Sequence, residues 1–160
     1  DFSNKSDLFV RMNLSYARET ISYQRARTIK LLRKFYVETE RLSKSKYLAE
    51  MSKSKIVVSP FGWGEINIRD FECFVSGSML LKPDMSHLST YPQFYKENMT
   101  YLPIRWNLEN LVSSIEYILE NHKRLREIAA EGQRRFRYFT EQDEGRNEFA
   151  EYVRDRLTKV

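Results

Sequence analysis

One stretch near the middle of the chain, residues 55–83, constrains the fold more than any other. It combines an apolar run, a glycine-rich turn, a charged helix start, a glycine and a second apolar run, in the order KIVVSPFGWGEINIRDFECFVSGSMLLKP. All four prolines of the chain lie between residues 60 and 103, and three of its five glycines lie between residues 62 and 77. This arrangement predicts a strand that leads into a helix and then into a second strand, which is how open parallel sheets form ligand sites.

The two apolar runs, residues 56–58 and 79–81, have the composition of central strands. Both are short and uninterrupted, as expected for parallel strands that are buried on both faces. Between them we predict a helix from about Asn67 to Ser76, which Gly77 ends in the left-handed conformation.

Similar signals divide the rest of the chain into strands and helices. We expect an irregular lead-in at residues 1–7 and a strand at 8–12. Apolar periodicity then predicts a helix over residues 20–35, with Arg25 away from its apolar side. Before the central stretch we also predict a brief strand at 36–39 and a helix from the N-cap Ser43 to about residue 52. After it we predict a helical turn near 88–91 and an edge strand at 100–102 that Pro103 ends. Three helices follow, over 108–119 with Asn107 as N-cap, over 125–136 and over 140–160.

This alternation of strands and helices predicts parallel strands joined by right-handed crossovers. We therefore expect an α/β fold, a Rossmann-like three-layer sandwich around a short parallel sheet of four or five strands. With 160 residues, the natural expectation is a single domain over residues 1–160, long enough to bury a core of its own.

The composition excludes several classes of protein. One cysteine, Cys73, and two histidines rule out a disulfide framework and a Cys-rich zinc site. No apolar run approaches the roughly 20 residues that span a bilayer. Residues 1–59 carry 13 Lys and Arg against 6 Asp and Glu, whereas residues 60–160 carry 14 against 16. The basic half fits an anionic ligand, an anionic partner, membrane headgroups or a solvated Lys/Arg-rich face.

The turn after residue 58 favours a ligand that carries both phosphate and hydroxyl groups. Free N–H groups at a helix start attract phosphate, but neither GxGxxG nor GxxxxGK[ST] is present. Glu65, Asp70 and Glu72 suit the positive end of the helix, and carboxylates also accept hydrogen bonds from sugar hydroxyls. Glu72 has apolar neighbours, so its carboxylate needs a partner, which is either Arg69 on the same helix or a diol.

Other candidates near this turn have two interpretations each. Lys82 at the end of the second core strand is either a ligand contact or a solvated cation, and so is Arg11 near the end of the first strand. His87 fits a surface or hydrogen-bonding residue better than a general base. Three aromatic residues either stack on a ligand or pack into the core and rim: Trp63, Tyr101 and Trp106.

Three segments carry a resemblance to a known family. They are SKSKIVVSPFGWGEINIRDFECFVSGSMLLKPD, TYLPIRWNLENLVSSIEYILEN and HKRLREIAAEGQRRFRYF, within about residues 46–139. In this order they resemble the C-terminal, donor-binding domain of GT-B glycosyltransferases in the glycosyl transferases group 1 family. The resemblance implies the C-terminal half of a GT-B fold, and residues 1–45 fit its first strand and helix.

The resemblance also implies roles for single residues. The loop 61–65 matches the loop that holds the donor diphosphate and sugar, and Glu72 matches the acid that binds the ribose hydroxyls. Many relatives have two glutamates separated by seven residues, whereas six residues separate Glu65 from Glu72, so Gly64 takes the matching position. No metal is expected, because cations and helix N-termini neutralise the diphosphate. The expected donor-binding residues are Phe61, Gly62, Trp63, Gly64, Glu65, Arg69, Glu72, Lys82 and Arg11.

The resemblance finally implies a missing partner. In GT-B enzymes the acceptor and much of the catalytic apparatus come from an N-terminal domain, for which this chain has no room. We therefore expect the donor-binding half of a hexosyl- or related glycosyltransferase, inactive alone, with a nucleotide sugar as substrate and no identified catalytic residue.

We expect this domain to act in cell-surface polysaccharide biosynthesis, in the cytoplasm with peripheral contact at the membrane. Two alternatives stay open. One is a basic nucleic-acid-binding module, although no RRM, KH or zinc pattern is present. The other is a non-catalytic interaction domain that keeps the fold.

Overall fold

A parallel β-sheet runs through the middle of the protein. The computed structural model describes residues 5–158. The strands are β1 Ser6–Phe9, β2 Ser54–Val58, β3 Met79–Pro83 and β4 Tyr101–Ile104, and they lie side by side in this order, each parallel to the next. The helices are α1 Glu19–Leu32, α2 Lys44–Ser52, α3 Ile68–Ser76, α4 Leu111–Glu120, α5 His122–Glu141 and α6 Asp143–Leu157. The predicted Rossmann-like α/β fold is confirmed.

The central unit forms as its sequence predicts. β2 and β3 pair in parallel with Val57 opposite Leu80, and every residue of β3 is buried. Asn67 directly precedes α3, and Gly77 ends it with a φ of 67°, a conformation that glycine adopts without strain.

The central strands pack against helices on both faces. Ile56 and Val58 belong to a hydrophobic cluster that α1, α4 and the first half of α5 cover. Val57 and Leu80 belong to a second cluster, which α2, α3 and Phe136 of α5 cover. Burial of each such aliphatic side chain contributes about 1.5–3 kcal/mol, so the two clusters hold the sheet between two helical layers.

The N-terminal half departs from the prediction in three places. β1 begins at Ser6, inside the expected irregular lead-in, and ends at Phe9. Residues 33–35 form a short 3₁₀ turn after α1, and the predicted strand at 36–39 is absent. Tyr36 has a φ of 52°, so the chain turns there instead of extending along the sheet.

The C-terminal half departs from the prediction around β4. The predicted helical turn at 88–91 is absent. β4 continues through Pro103 to Ile104, because β4 is the edge strand and proline is tolerated there. α4 starts after Asn110 rather than Asn107, since Leu108 has a φ of 63°, which is outside the helical region.

The C-terminal helix packs on the long loop between β3 and β4. Tyr91 of this loop stacks on Tyr152 with ring centroids 3.8 Å apart, and also faces Phe149. α6 is the helix predicted at 140–160. Residues 1–4 and 159–160 lie outside the described residues. Across residues 5–158, no helix combines the length and the apolar character that crossing a membrane requires.

Candidate functional site

A cavity of about 1050 Å³ lies beside the carboxyl ends of β1 and β2. Its walls are formed by residues 11–14 and Tyr16 after β1, by residues 39–42 before α2, and by residues 62–64 and 66–69 after β2. Ligands of open α/β sheets bind at this edge, beyond the carboxyl ends of the strands. The cavity is therefore the candidate functional site.

The first turn of α3 forms one wall of the cavity. Ile68 and Arg69 of this turn line the cavity. The first N–H groups of a helix have no acceptor inside the helix, and the helix dipole makes this end positive. The backbone N–H of Asn67 is already bound, because it donates to Asp70 Oδ2 at 3.2 Å. The backbone N–H of Asp70 is bound as well, since Asn67 accepts from it, so the N–H groups of Ile68 and Arg69 are the ones suited to an anion.

Glu72 reaches the cavity from the second turn of α3. Its side chain is 15% exposed and pairs with Lys44, whose own side chain is 66% exposed. Of the two partners considered for Glu72, the one on the same helix, Arg69, is wrong. The Arg69 guanidinium instead donates to the Tyr47 hydroxyl at 3.1 Å and to the Arg11 carbonyl at 2.6 Å. Glu72 thus keeps a carboxylate at the cavity wall, and its partner is an exposed lysine.

Arg11 lines the cavity but is not a solvated cation. Its guanidinium forms two hydrogen bonds of 2.9 Å with the carboxylate of Glu50, and these raise its pKa. It also donates to the Glu40 carbonyl at 3.1 Å. Arg11 therefore holds residues 39–42 against α2, and Glu50 offsets much of its charge.

Arg25 was not among the predicted site residues, yet it lines the cavity. It is 5% exposed and donates to the Phe61 carbonyl at 3.1 Å and to the Tyr16 hydroxyl at 2.9 Å. Burial lowers its pKa. The prediction that Arg25 lies off the buried side of α1 is wrong. The sequence signal for the burial of Arg25 is its spacing from Ile21 and Thr28. Arg25 lies four residues after Ile21 and three before Thr28, so all three side chains lie on one helical face.

The glycine-rich turn leaves part of the cavity wall without side chains. A Cβ on Gly62 would lie 3.5 Å from Arg25 Nη2, and one on Gly64 would meet nothing closer than 4.0 Å. Between them, Trp63 is 65% exposed, and the Arg18 guanidinium lies 5.3 Å from its ring centre. The turn can thus admit a ligand close to its backbone, with an aromatic face at the rim.

Three of the nine predicted donor-binding residues lie outside the cavity. Phe61 packs edge-to-face on Trp106, with ring centroids 4.9 Å apart. Glu65 lies 3.5 Å from Nε2 of His87, on the other side of the turn. Lys82 is fully buried, so the interpretation as a solvated cation is wrong. The cavity brings together the other six: Arg11, Gly62, Trp63, Gly64, Arg69 and Glu72.

Lys82 belongs to a buried polar network beneath the turn. Its Nζ lies 3.1 Å from Asp70 Oδ2, and both side chains have no exposed surface. Asp70 also accepts hydrogen bonds from the Ser59 hydroxyl at 2.6 Å and the Tyr95 hydroxyl at 2.8 Å. Burial lowers the pKa of Lys82 and raises that of Tyr95. The network ties α3 to the ends of β2 and β3 and so positions the turn.

Two of the three aromatic residues considered for stacking on a ligand are buried or anchored by contacts within the protein. Tyr101 is fully buried, so it is not available to a ligand. Trp106 is half exposed but anchored, because its indole N–H donates to the Asp84 carbonyl at 3.0 Å. Within residues 5–158, no group of three His, Cys, Asp or Glu side chains could hold a metal ion. Metal-independent binding stays a prediction.

A family model described as glycosyl transferase-like matches residues 22–144, which is more than half of the chain. The chain belongs to the glycosyl transferase-like family. The matched part includes Arg25, the turn at 62–64 and Glu72, whereas Arg11 precedes it. No curated protein matches the chain.

The glycosyl transferase-like chain also matches a solved structure. Sucrose-phosphate synthase from Thermosynechococcus elongatus superposes with a TM-score of 0.56 at 14% sequence identity, over 96% of this chain and 38% of that one. At this identity the likeness shows the fold alone, and it agrees with the expected GT-B-type domain. The chain spans 38% of the length of that protein.

Proposed function

We propose that this domain binds the nucleotide-sugar donor of a glycosyltransferase, and that the cavity holds the nucleotide. The observation that carries the proposal is the position of Glu72, in the cavity and one helical turn from the start of α3. An ionised carboxylate accepts hydrogen bonds from both hydroxyls of a ribose, whereas the N–H groups at a helix start suit a diphosphate. One wall thus offers complementary groups for both parts of a nucleoside diphosphate.

Other side chains of the cavity also fit a nucleotide sugar. Arg25 and Arg69 place two guanidinium groups at the cavity, which supports binding of a diphosphate without a metal. Trp63 offers an exposed ring at the rim for stacking. A contact between Glu65 and the sugar would require the sugar to extend past Gly64, since Glu65 itself does not line the cavity.

Sugar transfer needs more than this cavity. We assign no general base and no acceptor site among the residues that line the cavity. We therefore propose that the acceptor and the remaining catalytic groups come from a second domain, which is the partner expected from the family resemblance. The proposed reaction is transfer of the sugar from the nucleotide donor to a glycan or another acceptor.

Nucleotide sugars are expected to raise the melting temperature of the chain. A ligand at ten times its Kd stabilises the folded state by about 1.4 kcal/mol, which corresponds to a shift of a few degrees in a domain of this size. UDP-glucose, GDP-mannose, UDP and GDP at millimolar concentration form the test panel in a thermal-shift assay. If none of them shifts the transition, the donor-binding proposal is wrong.

Glu72→Gln is expected to weaken nucleotide binding about tenfold or more while the protein stays folded. The amide loses the charge that strengthens hydrogen bonds to the ribose hydroxyls, and a hydrogen bond to a charged group is worth about 1.5–3 kcal/mol. Isothermal titration with the best nucleotide of the panel measures the loss. Glu116→Gln is the matched control, because Glu116 also pairs with a surface lysine, Lys34, but lies on α4 outside the cavity. Equal affinities of the two variants would remove Glu72 from the site.

A further inference from the structure

The outer face of α1 and of the 3₁₀ turn after it carries a row of cations. Arg27, Lys30, Arg33 and Lys34 are all exposed. Arg27 and Lys30 are three residues apart, so they lie on one side of α1, and Arg33 and Lys34 follow in the 3₁₀ turn. We call these four cations, together with Tyr23 and Tyr36, the basic face.

Acidic side chains neutralise little of the basic face. Lys34 pairs with Glu116 of α4 at 2.5 Å. Arg27 donates to the Tyr23 hydroxyl at 3.2 Å, and it forms no ion pair with an acid among residues 5–158. Among the residues that the structure describes, Lys30 and Arg33 have no acidic partner within ion-pair distance. The basic face therefore keeps a net positive charge in the folded protein.

Two exposed tyrosines lie at the ends of the basic face. Tyr23 is 65% exposed and Tyr36 is 94% exposed. Tyrosine combines an apolar ring with a polar hydroxyl, and it is enriched where proteins meet the headgroup region of membranes. The opposite side of α1 is packed into the core through Ile21, Thr28 and Leu32, so the fold holds the basic face outward.

We propose that the basic face binds anionic lipid headgroups and holds the protein at a membrane surface. The partner follows from charge complementarity, because clustered Lys and Arg side chains attract the negative surface of such membranes. One helix and the turn after it present these charges as a convex row of exposed side chains, which suits a flat surface, whereas single-stranded nucleic acids bind in charged grooves with stacking aromatics. This inference is independent of the nucleotide site, since none of the four cations lines the cavity.

Sedimentation with lipid vesicles tests the proposal. The chain is expected to bind vesicles of phosphatidylcholine and phosphatidylglycerol, and to stay in solution with phosphatidylcholine alone. Because each cation near an anionic surface strengthens binding about fivefold, loss of two is expected to weaken it roughly 30-fold or more. Lys30→Glu with Arg33→Glu is the test variant. Raising the salt concentration should also release the wild-type protein, since it screens exposed charges.

A matched pair of substitutions controls for overall charge. Lys123 and Arg126 on α5 are exposed, without an ion pair among the described residues, and three residues apart, like Lys30 and Arg33. Lys123→Glu with Arg126→Glu is expected to leave vesicle binding nearly unchanged, and circular dichroism checks that both variants fold. Equal binding by the two double variants would overturn the proposal. Binding to uncharged vesicles, or tighter binding to single-stranded RNA than to anionic vesicles at the same salt concentration, would overturn it as well.

Discussion

Lys82→Met is expected to lower the free energy of unfolding by about 3–5 kcal/mol, a large share of the stability of a typical domain. In the wild type, the Lys82 ammonium lies 3.1 Å from Asp70 Oδ2, and both side chains are fully buried. Without this ammonium, the Asp70 carboxylate stays in an apolar interior with hydrogen bonds but no counter-charge. Chemical denaturation followed by circular dichroism measures the change.

Two controls separate the loss of a buried pair from the loss of any lysine. Lys55→Met removes a lysine of the neighbouring strand β2, whose partner Asp7 is 55% exposed, and is expected to cost less than about 1 kcal/mol. The double variant Asp70→Asn with Lys82→Met removes both charges. It is expected to be more stable than Lys82→Met alone, because no unpaired charge stays in the interior. The single amide oxygen can accept from Tyr95, whereas the amide NH₂ can donate to the Ser59 hydroxyl oxygen. A double variant no more stable than the single one would contradict this account.

Gly132→Ala is expected to destabilise the protein by about 1–3 kcal/mol, the usual cost of overpacking a core. Gly132 lies in α5, where an added Cβ would be 2.8 Å from the Thr100 carbonyl oxygen and 2.9 Å from the Phe74 ring. These contacts are shorter than real Cβ atoms tolerate, so α5 would have to move away from β4 and α3. In an exposed helix the same substitution would stabilise by about 1 kcal/mol, so the sign of the effect tests the packing.

The glycine turn provides the control for Gly132. Gly64→Ala places its Cβ no closer than 4.0 Å to any neighbour, and Gly64 has an ordinary negative-φ backbone. We expect its stability to stay within about 0.5 kcal/mol of the wild type. The midpoints of denaturation of the two variants give the comparison. Wild-type stability in Gly132→Ala would show that α5 does not pack as closely as described.

The strand–turn–helix–strand unit of residues 54–83 was predictable because its signals are local. The β-branched run at 56–58 favours a strand, and Asn67 and Gly77 mark the two ends of α3. The structure shifts the bounds of these elements by only one or two residues. The same local signals, in this order, carried the family resemblance.

Local rules failed where a charged side chain finds a partner far away in sequence. The spacing of Arg69 and Glu72 favours a pair on one helix, yet Arg69 binds the carbonyl of Arg11, 58 residues earlier. The apolar periodicity of residues 20–35 predicts Arg25 away from the buried side of its helix, yet Arg25 is buried. Its acceptor is the carbonyl of Phe61, 36 residues later.

The sequence by itself therefore determined the order of strands and helices, the turn beside the site, and the family that the chain resembles. Only the tertiary structure decided which charges are buried and what they contact, as Lys82 with Asp70 and Glu72 with Lys44 show. The physical reason is the range of the interactions. Strand and helix propensities act between neighbours in sequence, whereas a buried ion pair exists only after the sheet order has brought its two members within about 3 Å.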